Sequence, residues 1–160
     1  MATYGNSGIE PNLVQIPPGP LTFAPSSNPK YLTYRQATTS NVTPVSLEKY
    51  LELNGKYLKE AQEFSAKGDL VQASEKLWGA AAEIVKAVAA SRGISLGTHS
   101  SPFEFVSELA KEHPDWSLLD LFQIAGSLHT NYYEGWLTED FVRRGQEVVE
   151  TFVTKLKTLI

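Results

Sequence analysis

The sequence predicts an all-α protein: an up-and-down bundle of five helices behind an extended N-terminal arm. Three observations carry this. From residue 46 onward apolar side chains recur every three or four residues, the period of a helix face. Helix start and stop signals punctuate that stretch at short intervals, and no alternating strand pattern interrupts it. Residues 1–45, by contrast, hold seven of the nine prolines (Pro11, Pro17, Pro18, Pro20, Pro25, Pro29 and Pro44) and three charged side chains, Glu10, Lys30 and Arg35. Proline fixes φ and removes a backbone donor, so this arm is expected to be extended and unable to form a core alone. Its apolar and aromatic residues, among them Leu13, Ile16, Phe23, Tyr31 and Tyr34, favour lying on a surface. That surface is either the chain's own body or another subunit or protein.

The first helix is expected from Thr43-Pro44, an N-cap and first-turn proline, to about Lys67, with Leu47, Tyr50, Leu51, Asn54, Tyr57, Leu58, Ala61 and Phe64 inward. Lys67-Gly68-Asp69 turns the chain. Gly68 suits the left-handed backbone after a helix, and Asp69 with Gln72 three residues on has the pattern of a capping box. The second helix runs from about Leu70 to Ser91 and ends at Gly93. Its Val71, Ser74, Leu77, Trp78, Ala81, Val85, Val88 and Ala89 join small residues to one bulky plug, a face that a neighbouring helix can approach closely. Ser101-Pro102-Phe103-Glu104 combines N-cap, first-turn proline and capping acid, and opens a shorter helix that His113-Pro114 stops. Asp115 or Ser117 caps a fourth helix with Leu118, Leu121, Phe122, Ala125, Leu128 and Tyr132 on one face, ended by Gly135. Thr138-Glu139-Asp140 opens the fifth, with Phe141, Val142, Val148, Val149, Phe152, Val153, Leu156 and Leu159 inward. Short loops make neighbours antiparallel.

At 160 residues the chain fits one helical domain, residues 46–160, with the arm preceding it. A net charge of −4 argues against a bulk electrostatic grip on duplex DNA. The absence of cysteine excludes disulfides, thiolate metal sites and a thiol nucleophile. No apolar run reaches the ~20 residues a spanning helix needs, and the N-terminus lacks the basic and apolar parts of a secretory signal, so a cytoplasmic protein away from membranes is expected. No phosphate-binding glycine loop and no His-Glu-x-x-His motif occurs, and no cofactor or metal is expected.

Candidate chemistry gathers around the histidines. His113, before a proline, reads as a surface loop residue. His129 lies in Leu128-His129-Thr130-Asn131-Tyr132-Tyr133-Glu134-Gly135-Trp136, with Tyr133 four residues on and on the same face. Such a cluster either hydrogen-bonds a base or phosphate or forms a satisfied polar network inside the fold. Trp78 and Trp136 read as core. Arg92 and His99 flank a glycine-containing loop; an arginine that holds phosphate and a histidine that moves a proton are the minimum for metal-independent RNA cleavage. The other reading leaves Arg92 as a cation at a helix C-terminus and His99 as a loop residue. Most acidic residues fall on outer helix faces.

Glu60-Ala61 through Gly68-Asp69, then Gln72-Ala73-Ser74-Glu75-Lys76-Leu77-Trp78-Gly79-Ala80-Ala81, and later Ser127-Leu128-His129-Thr130-Asn131-Tyr132-Tyr133-Glu134, resemble the PaREP family of small archaeal proteins over residues 46–160. That family is similar to the HEPN superfamily of all-α nucleotide- and RNA-associated domains. The resemblance implies a helical bundle, often a homodimer, in a group containing RNases, toxin subunits and noncatalytic binding modules. Active members share an arginine, usually followed by asparagine, with a histidine a few residues on. Here the comparable stretch of the fourth helix starts at His129 and has Asn131 but no arginine.

The expectation is therefore a noncatalytic module, homodimeric through helix faces, that binds a nucleotide or nucleic-acid fragment through His129, Asn131, Tyr132 and Lys76. One alternative is a metal-independent RNase of toxin type using Arg92 and His99. Another is a structural assembly protein whose residues 1–45 link subunits.

Overall fold

A computed structural model describes residues 44–96 and 101–160. The expectations for the arm over residues 1–43, for Thr43 as a cap and for His99 lie outside the described residues. Five α-helices follow in order: α1 (Pro44–Ala66), α2 (Leu70–Ser91), α3 (Ser101–Glu112), α4 (Leu118–Glu134) and α5 (Glu139–Lys157), with a short 3₁₀ turn, Pro114–Trp116, between α3 and α4. No strand occurs among the described residues. The all-α expectation and its helix boundaries hold to within a few residues.

Local chemistry explains the ends. Gly68 has φ +74°, the left-handed conformation that closes α1 without a Cβ penalty. The Asp69 carboxylate accepts the Gln72 backbone N–H at 3.1 Å and caps α2. Gly135 (φ +63°) ends α4 by donating its N–H to the Asn131 carbonyl. The α4 start differs from the expected cap. Ser117 does occupy the N-cap position, but the 3₁₀ turn before it forces φ to +54°, and its hydroxyl makes no capping bond. At the last helix, Thr138 precedes α5 in extended backbone, Glu139 and Asp140 occupy the first turn, and Lys155 and Lys157 the last, each favourable to the helix dipole.

Helix α2 is the centre of the bundle, packed by α1 on one side and by α3, α4 and α5 on others. Its interior residues, including Leu77, Ala80, Ala81, Ile84, Val85, Ala87, Val88 and Ala89, are fully buried. The alanine run thus serves two seams rather than one. Phe105, Phe122, Leu128, Val149, Phe152 and Leu156 complete an apolar core on the α3–α4–α5 side. Gly145 lets α5 approach α4: a Cβ there would lie 2.8 Å from Leu128 Cδ2. Two aromatic expectations are corrected. Phe141 is 65% exposed and Trp136 is 66% exposed, because Phe141 lies on the outward face of the first turn of α5, where Val142 takes the inward place, and Trp136 lies in the loop before that helix.

Candidate functional site

The α1–α2 seam is built differently from the core. Its α1 side presents Tyr50, Asn54 and Tyr57, spaced three and four residues apart and therefore on one face. Against them the antiparallel α2 presents Lys86, Ala80, Gly79 and Lys76. Asn54 is fully buried and its Nδ2 donates to the Ala80 carbonyl at 2.8 Å, pinning the two helices. Tyr57 lies flat against bare backbone at Gly79, where an added Cβ would sit 2.9 Å from the ring. Lys76 Nζ stands 5.2 Å from the Tyr57 ring centroid, and Lys86 Nζ 5.9 Å from that of Tyr50.

An open cleft of about 420 Å³ follows this seam toward the start of α3, lined by Tyr57, Lys76, Trp78, Gly79, Glu83 and Lys86, with Glu75, Leu96 and Pro102 at its margins. Both lysines are held by carboxylates: Lys76 by Glu60 at 2.8 Å and Lys86 by Glu83 Oε1 at 2.7 Å. The hydrogen bond from Lys76 holds the Glu60 carboxyl below its usual value, against the opposing push of partial burial and with smaller help from the Lys76 and Lys56 charges. Glu83 is buried, at 8% exposure, an exception to the expectation that most acidic residues sit on outer helix faces. It occupies the inner face of α2 because its partner Lys86 is one turn away on the same seam.

The predicted site residues separate. Lys76 lines the cleft. His129, half-buried on α4, meets Glu75 Oε2 through Nδ1 at 3.0 Å and stacks on Trp78 with ring centroids 5.2 Å apart, so it reaches the cleft margin through those two residues. Tyr133 packs its edge on His129, and Tyr132 packs on Tyr133, on the outer side of α4. Asn131 turns inward instead. It is fully buried, its Nδ2 donates to Ser74 Oγ at 2.9 Å, and its Oδ1 accepts the Leu137 N–H at 2.7 Å. Ser74 in turn donates to the Leu70 carbonyl. Asn131 therefore ties the α4–α5 turn to the start of α2. Arg92 caps α2, and its Nη1 donates to both Glu112 carboxylate oxygens at 2.9 Å. His113 stacks on Trp116. Among the described residues no group of His, Asp or Glu side chains could hold a metal ion, and no helix is long and apolar enough to cross a membrane.

Sequence reasoning placed Tyr57 and Asn54 on an inward face but missed that this face borders a cleft. The available signal was chemical: an asparagine at a core register of α1, and a glycine inside the alanine run of α2.

Fold and site together describe an all-α bundle whose central helix carries a polar and aromatic strip along its seam with α1. The chain belongs to the Archaeal PaREP1/PaREP8 family, whose model matches residues 49–153. It is similar in structure to a protein from Sulfolobus solfataricus solved by crystallography, with a TM-score of 0.59 and 27% sequence identity, covering 67% of this chain and 95% of that one. No curated protein matches.

Proposed function

We propose that this protein is a noncatalytic, HEPN-like helical binding module that takes a nucleotide, free or at the end of a nucleic-acid fragment, in the α1–α2 cleft. The observation that carries the reading is the pairing of two ammonium groups, Lys76 and Lys86, with two aromatic faces, Tyr57 and Trp78, around one cavity. Each ammonium has three donors and spends one on a carboxylate, which leaves donors for phosphate oxygens. The rings offer the apolar surface that a base prefers. In this reading Lys76 touches the ligand, His129 orients Glu75 at the margin, and Asn131 positions α4. Tyr132 borders the same end of the bundle.

The homodimer belongs to the same proposal. Tyr132, Tyr133, Trp136 and Phe141, all exposed around the α4–α5 turn, support self-association there. The RNase alternative requires Arg92 to leave Glu112 before it can hold phosphate. The assembly alternative rests on residues 1–43, and removing them while measuring mass in solution tests it: an unchanged oligomer speaks against it.

Calorimetric titration of the full chain with AMP tests the main reading. Binding that weakens about tenfold or more in Lys76→Ala, with the melting temperature nearly unchanged, is the expected result. Absence of binding by the parent refutes it. Cleavage of mixed RNA without metal, lost in His99→Ala, would establish the RNase instead.

A further inference from the structure

Of three buried acceptor atoms on this seam, Glu60 Oε2 is met by the Lys76 ammonium at 2.8 Å, and the other two stand without a donor among the described residues. Among the described residues, neither Asn54 Oδ1 nor Glu83 Oε2 has a hydrogen-bond partner. Asn54 is fixed by its bond to the Ala80 carbonyl, and Glu83 stands three residues further along α2, so the two belong to one turn of the seam. A carbonyl oxygen and a carboxylate oxygen only accept, and neither can satisfy the other. Burying both without a donor is costly, and native interiors rarely leave such groups unanswered. Lys86 does not answer them, because its bond goes to the other Glu83 oxygen, Oε1. Glu83 lines the cleft, so a donor group of a bound ligand can approach its carboxylate from there.

Resting on the nucleotide reading of this cleft, we infer that Glu83 selects bases that carry an exocyclic amino group. Such a group donates its N–H to the carboxylate. A base with an oxo group at the same position presents lone pairs to a carboxylate, which repels it. Tyr57 and Trp78 bind either kind of base, so they supply affinity without this choice. Glu83 is thus a specificity-determining residue of the cleft.

The experiment compares pairs of nucleotides that differ at that group, AMP against IMP and CMP against UMP, by calorimetric titration of the full chain and of Glu83→Gln. The amino member of each pair is expected to bind the parent about tenfold or more tightly. In Glu83→Gln, whose amide offers both a donor and an acceptor, the ratio is expected to fall to within about twofold. A thermal melt confirms that the variant is folded. Equal binding of both members by the parent overturns the inference and leaves the nucleotide reading standing, as does a ratio that survives in Glu83→Gln. Failure of every nucleotide to bind removes the reading and the inference together.

Discussion

The two sides of α2 solve different problems with the same helix. Toward α3, α4 and α5 it buries Leu77, Ile84, Val85 and Val88 against Phe105, Phe122 and Phe152. Toward α1 it places Lys76, Gly79, Glu83 and Lys86 against Tyr50, Asn54 and Tyr57. The first side holds the fold by removing apolar surface from water. The second gives up part of that gain and acquires a cleft bordered by charges and half-buried rings. The difference teaches that α1, besides packing Leu51, Leu58, Ala61 and Phe64 on the core, adds a polar and aromatic strip to its seam, so changes confined to that strip should alter binding more than folding.

The largest effect belongs to the apolar side. Phe152 is fully buried and stacks on Phe122 with centroids 5.4 Å apart. Phe152→Ala should destabilise the bundle by about 3–5 kcal/mol in denaturant melts. A loss comparable to that of a surface substitution would break the contrast between the two sides.

Next comes Asn131, which belongs to the fold rather than to the cleft. Asn131→Ala leaves the Leu137 N–H without its acceptor and takes from the Ser74 oxygen the amide donor it accepts, and should cost about 1–3 kcal/mol. Nucleotide affinity, measured on the variant while it remains folded, should stay within about twofold. A large affinity loss without a stability loss would place Asn131 on the ligand.

Gly79 is the sharpest test of the seam. In Gly79→Ala the new Cβ meets the Tyr57 ring at 2.9 Å, so the ring must move into the cleft. Replacing a glycine inside a helix favours folding by up to about 1 kcal/mol, which offsets the cost of shifting a half-buried ring. Stability should change little, and AMP affinity should fall several-fold.

The smallest effect is electrostatic. Because Lys76 holds the folded-state pKa of Glu60 below its unfolded value, the pair's contribution to stability is present above about pH 4.3. It is lost as pH falls through the folded value. The parent should therefore be slightly more stable than Glu60→Gln at pH 7, with the difference vanishing once the pH lies below the lowered folded value. A difference that persists in acid would mean that Glu60 acts through packing.

Much of the architecture was legible because glycine, proline and capping residues punctuate the chain locally. Gly68, Asp69, Gly135 and the Thr138-Glu139-Asp140 start need no tertiary partner to act, and their helices begin and end where expected. The 3₁₀ turn at Pro114–Trp116 was not legible, because Pro114 reads as a helix stop and nothing in the sequence marks Ser117, a non-glycine residue, for the left-handed backbone that joins the turn to α4. The cleft was legible only in part. Periodicity says which residues share a face but not which face lies across from it. Lys76 was singled out, yet its neighbours Tyr57 and Lys86 come together only when α1 docks on α2. His129 and Asn131, two residues apart, point to opposite surroundings for the same reason. Buried Glu83 escaped because an acid on a helix is usually outward, and although Lys86 stands one turn on in the same helix, the cover over both comes only when α1 docks.

The most direct test of the account is where a nucleotide lands. Titration of isotopically labelled protein with AMP, followed by amide chemical shifts, should move residues 54–60 and 75–86 first and leave α5 unchanged. Shifts confined to the Tyr132–Tyr133 end of α4, with the α1–α2 seam silent, would contradict it.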